Sequence, residues 1–239
     1  MLRFLVGEDP RSDEGIVREC LEQIDKFCSA VRKRSKRASA FAAKDYRLEL
    51  TAQAFTRALD ELEQSVYCAR KLAEGLVHRT MREMDPDERL NYYRHLYFYK
   101  NGFVRVFSTL DKLGYFMNEL FGLQTERVKP RFSYFTVLRQ MHSLDVLAVL
   151  RGRLGEYKLR YKDAMNRLRK KRNLEIHYVN VEVLDDLALQ QEKYLDHHHV
   201  ENLAANLHDL RQGFEMVCRS MLAIFTEAER YVRRTIDES

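Results

Sequence analysis

Residues 170–177 read K-K-R-N-L-E-I-H, and Arg172, Asn173 and His177 have the types and spacing for chemistry on a phosphate. An imidazole titrates near neutral pH and can take or give a proton. A guanidinium offers planar, permanently charged donors to an anion. On a helix, Asn173 stands one turn before His177, so its amide can hold the ring in one orientation. Leu154, Tyr157, Tyr161, Met165 and Leu168 recur every three or four residues, and Arg172 and Ile176 are the next steps of that apolar stripe. A charge at a core position needs a carboxylate partner or an opening to an anionic ligand. Asp111, on an earlier helix, is the candidate carboxylate. Arg172 and His177 are five residues apart, about 140° around a helix. They share a site only if the helix end loosens, or if another helix or subunit completes it.

The approach to this group is basic. From Arg151 to Arg172 there are ten Lys and Arg against Glu156 and Asp163, whereas residues 182–201 carry six acids against Lys193. Arg169, Lys170 and Lys171, directly before Arg172, are candidate contacts to the phosphates of a nucleic acid. Such contacts give affinity without sequence preference, and the affinity falls with salt. A structural reading stands beside this one. Arg172 pairs with Asp111, and His177 is a solvated cation at a helix C-terminus.

The elements that must position these residues are helices. A first pattern covers 12–37, with Ser12 as N-cap and a basic end, R-K-R-S-K-R, expected to be solvated. A second covers 43–83, with Tyr46, Leu50, Phe55, Leu59 and Leu62 among its inward residues and a possible bend at Gly75. At M-D-P-D-E, Asp85 can cap, Pro86 fits the first helical position and Glu88 can close a capping box. The third helix runs to Phe121, bent near Asn101–Gly102, with Gly122 as its C′ residue. Ser133 caps a helix over 134–150 that can break at Gly152 or Gly155, and a fifth helix spans 155–179. A polar connection over 180–199, with room for a short helix, precedes a last helix over 200–235. The expected fold is an all-α bundle of five or six mostly long antiparallel helices. Residues 1–239 are expected to form one domain, with a helical pair over 1–84 and the motif-bearing part over 85–239.

Composition narrows the function classes. Only 9 Gly and 3 Pro in 239 residues argue against a turn-rich β fold and against a glycine-rich phosphate loop. The net charge of +5 is compatible with nucleic acid without requiring it. Cys20, Cys28, Cys68 and Cys218 form no CxxC pair and read as small buried thiols. The N-terminus M-L-R-F-L-V-G-E-D-P is too short and too quickly acidic for a signal peptide, and no apolar run reaches membrane-helix length. A cytoplasmic protein is the expectation. Adjacent histidines in D-H-H-H (196–199) diverge and read as a helix-entry loop rather than a metal site. His208–Asp209 lacks companion ligands, and His78, His95 and His142 have no acidic or cysteine partner at ligand spacing. The aromatic run Y-Y-R-H-L-Y-F-Y (92–99) reads as core or dimer packing.

R-N-L-E-I-H resembles the signature of the HEPN superfamily: an Arg, usually followed by a polar residue, then a His five to seven positions after the Arg. The segments L-D-K-L-G-Y-F-M-N-E-L-F-G-L (110–123) and F-S-Y-F-T-V-L (132–138) are also similar to a less studied bacterial HEPN group. The resemblance implies an all-helical bundle with the motif late in a helix, facing a dimer partner. It implies a metal-independent endoribonuclease in which His177 is the acid or base, Arg172 stabilises phosphate charge and Asn173 orients His177. RNA and a second copy are the implied partners, an antitoxin a further one, with no cofactor. Some HEPN toxins carry a Tyr two residues after the His. Here Val179 holds that place and Tyr178 is adjacent to His177, which sets Tyr-dependent modification aside and leaves Tyr178 as a supporting residue. A non-catalytic HEPN-like binding module and a plain helical scaffold are the alternatives.

Overall fold

The structure, a computed structural model, describes residues 2–5, 7–9, 11–12, 14–37, 42–78, 80–177 and 202–237. Among them it is all-α, with no strand. A one-turn helix, α1 (Leu2–Leu5), precedes α2 (Gly15–Arg37), α3 (Ala42–Ala73), α4 (Pro86–Phe121), α5 (Tyr134–Ser143), α6 (Ala148–Arg160), α7 (Lys162–His177) and α8 (Leu203–Asp237). A short 3-10 helix lies at Thr125–Arg127. The acidic connection over 180–199, the D-H-H-H run and Tyr178 lie outside the described residues.

Two compact units emerge. Unit one comprises Met1–Pro10, Leu62–Arg105 and Tyr161–Phe214, and unit two comprises Arg11–Glu61, Val106–Arg160 and Glu215–Ser239. Helices α3, α4 and α8 contribute residues to both.

Unit two is centred on four phenylalanines. Phe27 of α2, Phe55 of α3, Phe116 of α4 and Phe225 of α8 meet with ring centroids 4.9–5.9 Å apart, mostly edge to face. That is the arrangement the ring quadrupoles favour. Tyr134 at the start of α5 is fully buried, and its hydroxyl donates to Ser220 Oγ at 3.1 Å. It crosses α4 at Gly114, where a Cβ would sit 2.9 Å from the Tyr134 Cα. Unit one buries Tyr99 and Phe103 of α4, Tyr161, Met165 and Leu168 at and within α7, and Leu210 of α8. His95 is wholly buried, with Nδ1 2.7 Å from the Ala69 carbonyl and its ring stacked on Tyr99. Met81, Met84 and Tyr92 form a smaller cluster with Leu76, Leu96 and Leu203 packed against it.

The boundaries follow local chemistry. The Asp85 carboxylate accepts the Glu88 N–H at 2.8 Å, capping α4 where expected. Glu88 does not close the box. Its carboxylate accepts Val77 N–H at 2.6 Å and His78 N–H at 2.9 Å, and meets His78 Nδ1 at 2.5 Å. The N–H of Leu123 reaches Asn118 O at 3.1 Å across Gly122 (φ +64°), a Schellman ending. Ser133 caps α5, with its N–H donating to Thr136 Oγ1 at 3.4 Å. The inward stripe of α4, Phe103, Val106, Phe107, Leu110, Leu113, Met117 and Leu120, is buried throughout. All four cysteines are buried free thiols, and burial pushes Cys28 up to about 11.

Several expectations are corrected. The 43–83 pattern ends at Ala73, and Tyr46 and Leu50 are exposed. The inward positions there are Asp45 and Leu48. Asp45 can face inward because Arg34, from the basic end of α2 expected in solvent, is 4% exposed and donates to it from Nε at 3.1 Å. Arg34 also donates to Thr235 Oγ1 of α8 at 3.0 Å. The fourth and fifth predicted helices are three. The first break comes at Leu144–Leu147, where Asp145 (φ +49°) and Leu147 (φ +51°) turn the chain, and not at Gly152 or Gly155 inside α6. The second comes at Tyr161. As expected, α4 is a single helix through Asn101–Gly102. Gly102 serves close packing, since a Cβ there would lie 3.0 Å from Leu210 Cδ1.

Candidate functional site

Helix α7 carries the Arg172, Asn173 and His177 group, and His177 is its closing residue. Its inward stripe begins at Tyr161 and runs through Ala164, Met165 and Leu168, all buried. Beyond Leu168 the stripe turns polar. Lys171, Arg172 and Glu175 are each half-buried, and the Arg172 Nε is enclosed by protein. Ile176 does not continue the apolar line. It is 53% exposed, and Leu174 is 51% exposed. Three and four residues after Leu168 come 171 and 172, and three after 172 comes 175, so helical geometry hands the place to Glu175.

Three tethers hold this helix within unit one. Arg167 Nε and Nη2 donate to the two oxygens of Asp209 on α8, each at 2.7 Å. This is the bidentate geometry that fixes a guanidinium best. Lys171 Nζ lies 5.4 Å from the centre of the Tyr99 ring, a cation–π contact. Glu175 Oε2 meets Lys100 Nζ at 3.2 Å. Tyr99 and Lys100 are consecutive on α4 and grip α7 on either side of Arg172 in sequence. Their opposite number on α8, Asp209, is buried in the Arg167 pair, and His208 beside it is exposed and accepts from Gln212 Nε2 at 2.8 Å. The doublet is therefore a structural anchor. Among the described residues no three His, Cys, Asp or Glu are grouped to hold a metal.

The other predicted residues are placed as follows. Asn173 and Lys170 are exposed, and Arg169 is half-buried. Arg153, Lys158 and Arg160 on α6, and Lys162 on α7, are exposed. Arg151 is drawn off to Asp145, with Nη1 to Oδ1 at 2.5 Å. Asp111 on α4 accepts the Tyr134 N–H at 2.9 Å and so helps start α5. Sequence reasoning did not join Lys100 to Glu175 or Arg167 to Asp209, because no local spacing connects α4, α7 and α8. It also missed His78. Glu88, ten residues on, is its acidic partner and raises the imidazole pKa, while those hydrogen bonds hold the Glu88 carboxyl down at about 2.

The HEPN_Cthe2314-like HEPN family model matches residues 52–229, most of the chain. The chain belongs to the HEPN superfamily. The matched range contains the Arg172, Asn173 and His177 group, and the α3–α8 segment of this HEPN chain supplies all three tethers of α7. No curated protein and no solved structure matches it significantly. Among the described residues no helix is long and apolar enough to cross a membrane.

Proposed function

We propose that this HEPN chain is a metal-independent endoribonuclease that works as a homodimer. The observation that carries the reading is the polar end of α7, where a half-buried Arg172 is followed by an exposed Asn173 and, one turn on, by His177. His177 takes the proton from a ribose 2′-hydroxyl. The 2′-oxygen attacks the adjacent phosphorus, and the bond to the 5′-oxygen breaks as that oxygen is protonated. The products are a 2′,3′-cyclic phosphate and a 5′-hydroxyl. Arg172 stabilises the charge gathering on the phosphoryl oxygens. Asn173 orients His177 or contacts phosphate, and Arg169, Lys170 and Lys171 guide the backbone. A two-fold dimer supplies a second His177, so that one copy serves as base and the other as acid.

The test is incubation of wild type and His177→Ala with mixed single-stranded RNA in EDTA, with the fragment ends analysed. Cleavage by wild type alone, leaving cyclic phosphate ends, supports the reading. Equal cleavage by both places the chemistry elsewhere. A second reading has its own support. Leu174 and Ile176 each present an apolar side chain to solvent on the turn that holds Asn173, surface of the kind that partner proteins cover. In that reading the chain is a non-catalytic HEPN-like interaction module, and neither protein cleaves.

A further inference from the structure

Unit two contains an open cleft of about 340 Å³, lined by Ile16 and Glu19 of α2, Arg153 and Tyr157 of α6, and Arg219 and Leu222 of α8. The volume is at the lower end of the range that small-molecule sites occupy. Its walls are chemically mixed. Ile16, Tyr157 and Leu222 are half-buried and give it apolar and aromatic surface. Arg219 is held in place by Glu215, with Nε and Nη2 at 2.8 and 2.7 Å from one carboxylate oxygen.

The Arg219 charge is met by Glu215, but Glu19 and Arg153 do not cancel one another. Glu19 faces the same space as Arg153 and Arg219, yet it forms an ion pair with neither, and among the described residues Glu19 and Arg153 have no ion-pair or hydrogen-bond partner. On the same helix α2, Arg18 and Glu22 do pair with each other. Opposite charges kept apart across a shared cleft suit a ligand that spans them. An anionic group would sit against the Arg153 guanidinium and an amine against the Glu19 carboxylate. An apolar body would lie against Tyr157 and Leu222.

We infer that this cleft binds a small amphoteric molecule, one carrying a carboxylate or phosphate at one end and an amine at the other of a flat or aliphatic body. None of the cleft's lining residues belongs to the proposed nuclease group.

The experiment follows the Ile16 and Leu222 methyl resonances of the full chain by NMR during titration with 4-(aminomethyl)benzoate, benzoate and benzylamine. The expected result is saturable shifts with the amphoteric probe, and binding at least about tenfold weaker for each singly charged probe, since a charge-assisted contact is lost in each. Glu19→Gln should remove the advantage over benzoate, and Arg153→Gln the advantage over benzylamine. Both positions are exposed, and unchanged helix CD verifies folding. No saturable shift with any probe at millimolar concentration would overturn the inference. So would equal binding of benzoate and the amphoteric probe, or indifference to both substitutions.

Discussion

Glu88 collects two backbone N–H groups and one imidazole from the Val77–His78 segment, and this has a pH signature. The His78 pKa is raised by that carboxylate. Its contribution to stability is therefore complete below the unfolded-state value near 6.5 and is lost as pH rises through the higher folded value. Glu88 is depressed to about 2, so its contribution is present above the unfolded value and is lost as pH falls through about 2. Urea midpoints of wild type and His78→Gln should differ most near pH 5–6 and converge in alkali. A gap that stays constant from pH 5 to 9 would contradict the pair. At the proposed catalytic group, Arg172→Lys keeps the charge but loses the planar fork. We expect it to lower kcat for RNA cleavage by roughly a hundredfold, the scale of one lost charge-stabilising donor. Single-turnover cleavage with saturating enzyme measures this, and a change confined to KM would reassign Arg172 to binding.

Helices α2, α3 and α8 are joined by Arg34, Asp45 and Thr235. Asp45 is 1% exposed, so removing Arg34 leaves a buried carboxylate without its partner. Arg34→Met should cost about 3–5 kcal/mol in urea unfolding, and the double variant Arg34→Met/Asp45→Leu should recover much of it. Two glycines make a matched pair at the same scale. Gly114→Ala presses a Cβ into the Tyr134 backbone and should cost about 1–3 kcal/mol. Gly152→Ala meets open space within α6 and should stabilise by about 0.5–1 kcal/mol. Thermal melts rank the two, and the reverse order would refute the packing argument. These elements also show what could be read in the sequence. The stripe of α4 was legible because apolar spacing alone dictates it, and Asp85, Gly122 and Ser133 were legible because capping is local. The start of α3 was not, since its inward residue is a carboxylate made tolerable by an arginine eleven positions earlier. The Arg172 group was visible as a motif. The grip of Tyr99, Lys100 and Asp209 on its helix was not, because tertiary contacts leave no spacing in the chain.

The family match begins at residue 52, yet unit two is not complete without α2. Phe27 is fully buried between the Phe116 and Phe225 rings, and Cys20 Sγ donates to Cys218 O at 3.2 Å. A chain of residues 52–239 would expose that aromatic cluster, which dominates the apolar burial of the unit. It should show no cooperative thermal transition by CD, whereas a sharp transition would mean that the matched region folds alone. Tyr134 has an optical consequence for the whole protein. The sequence has 13 Tyr and no Trp, so tyrosine supplies its near-ultraviolet colour. This phenol is held rigidly by Ser220, and burial keeps it from ionising. Replacing Tyr134 by Phe and subtracting the two spectra would isolate its share of that band, a view of the seam between α5 and α8 with no label attached.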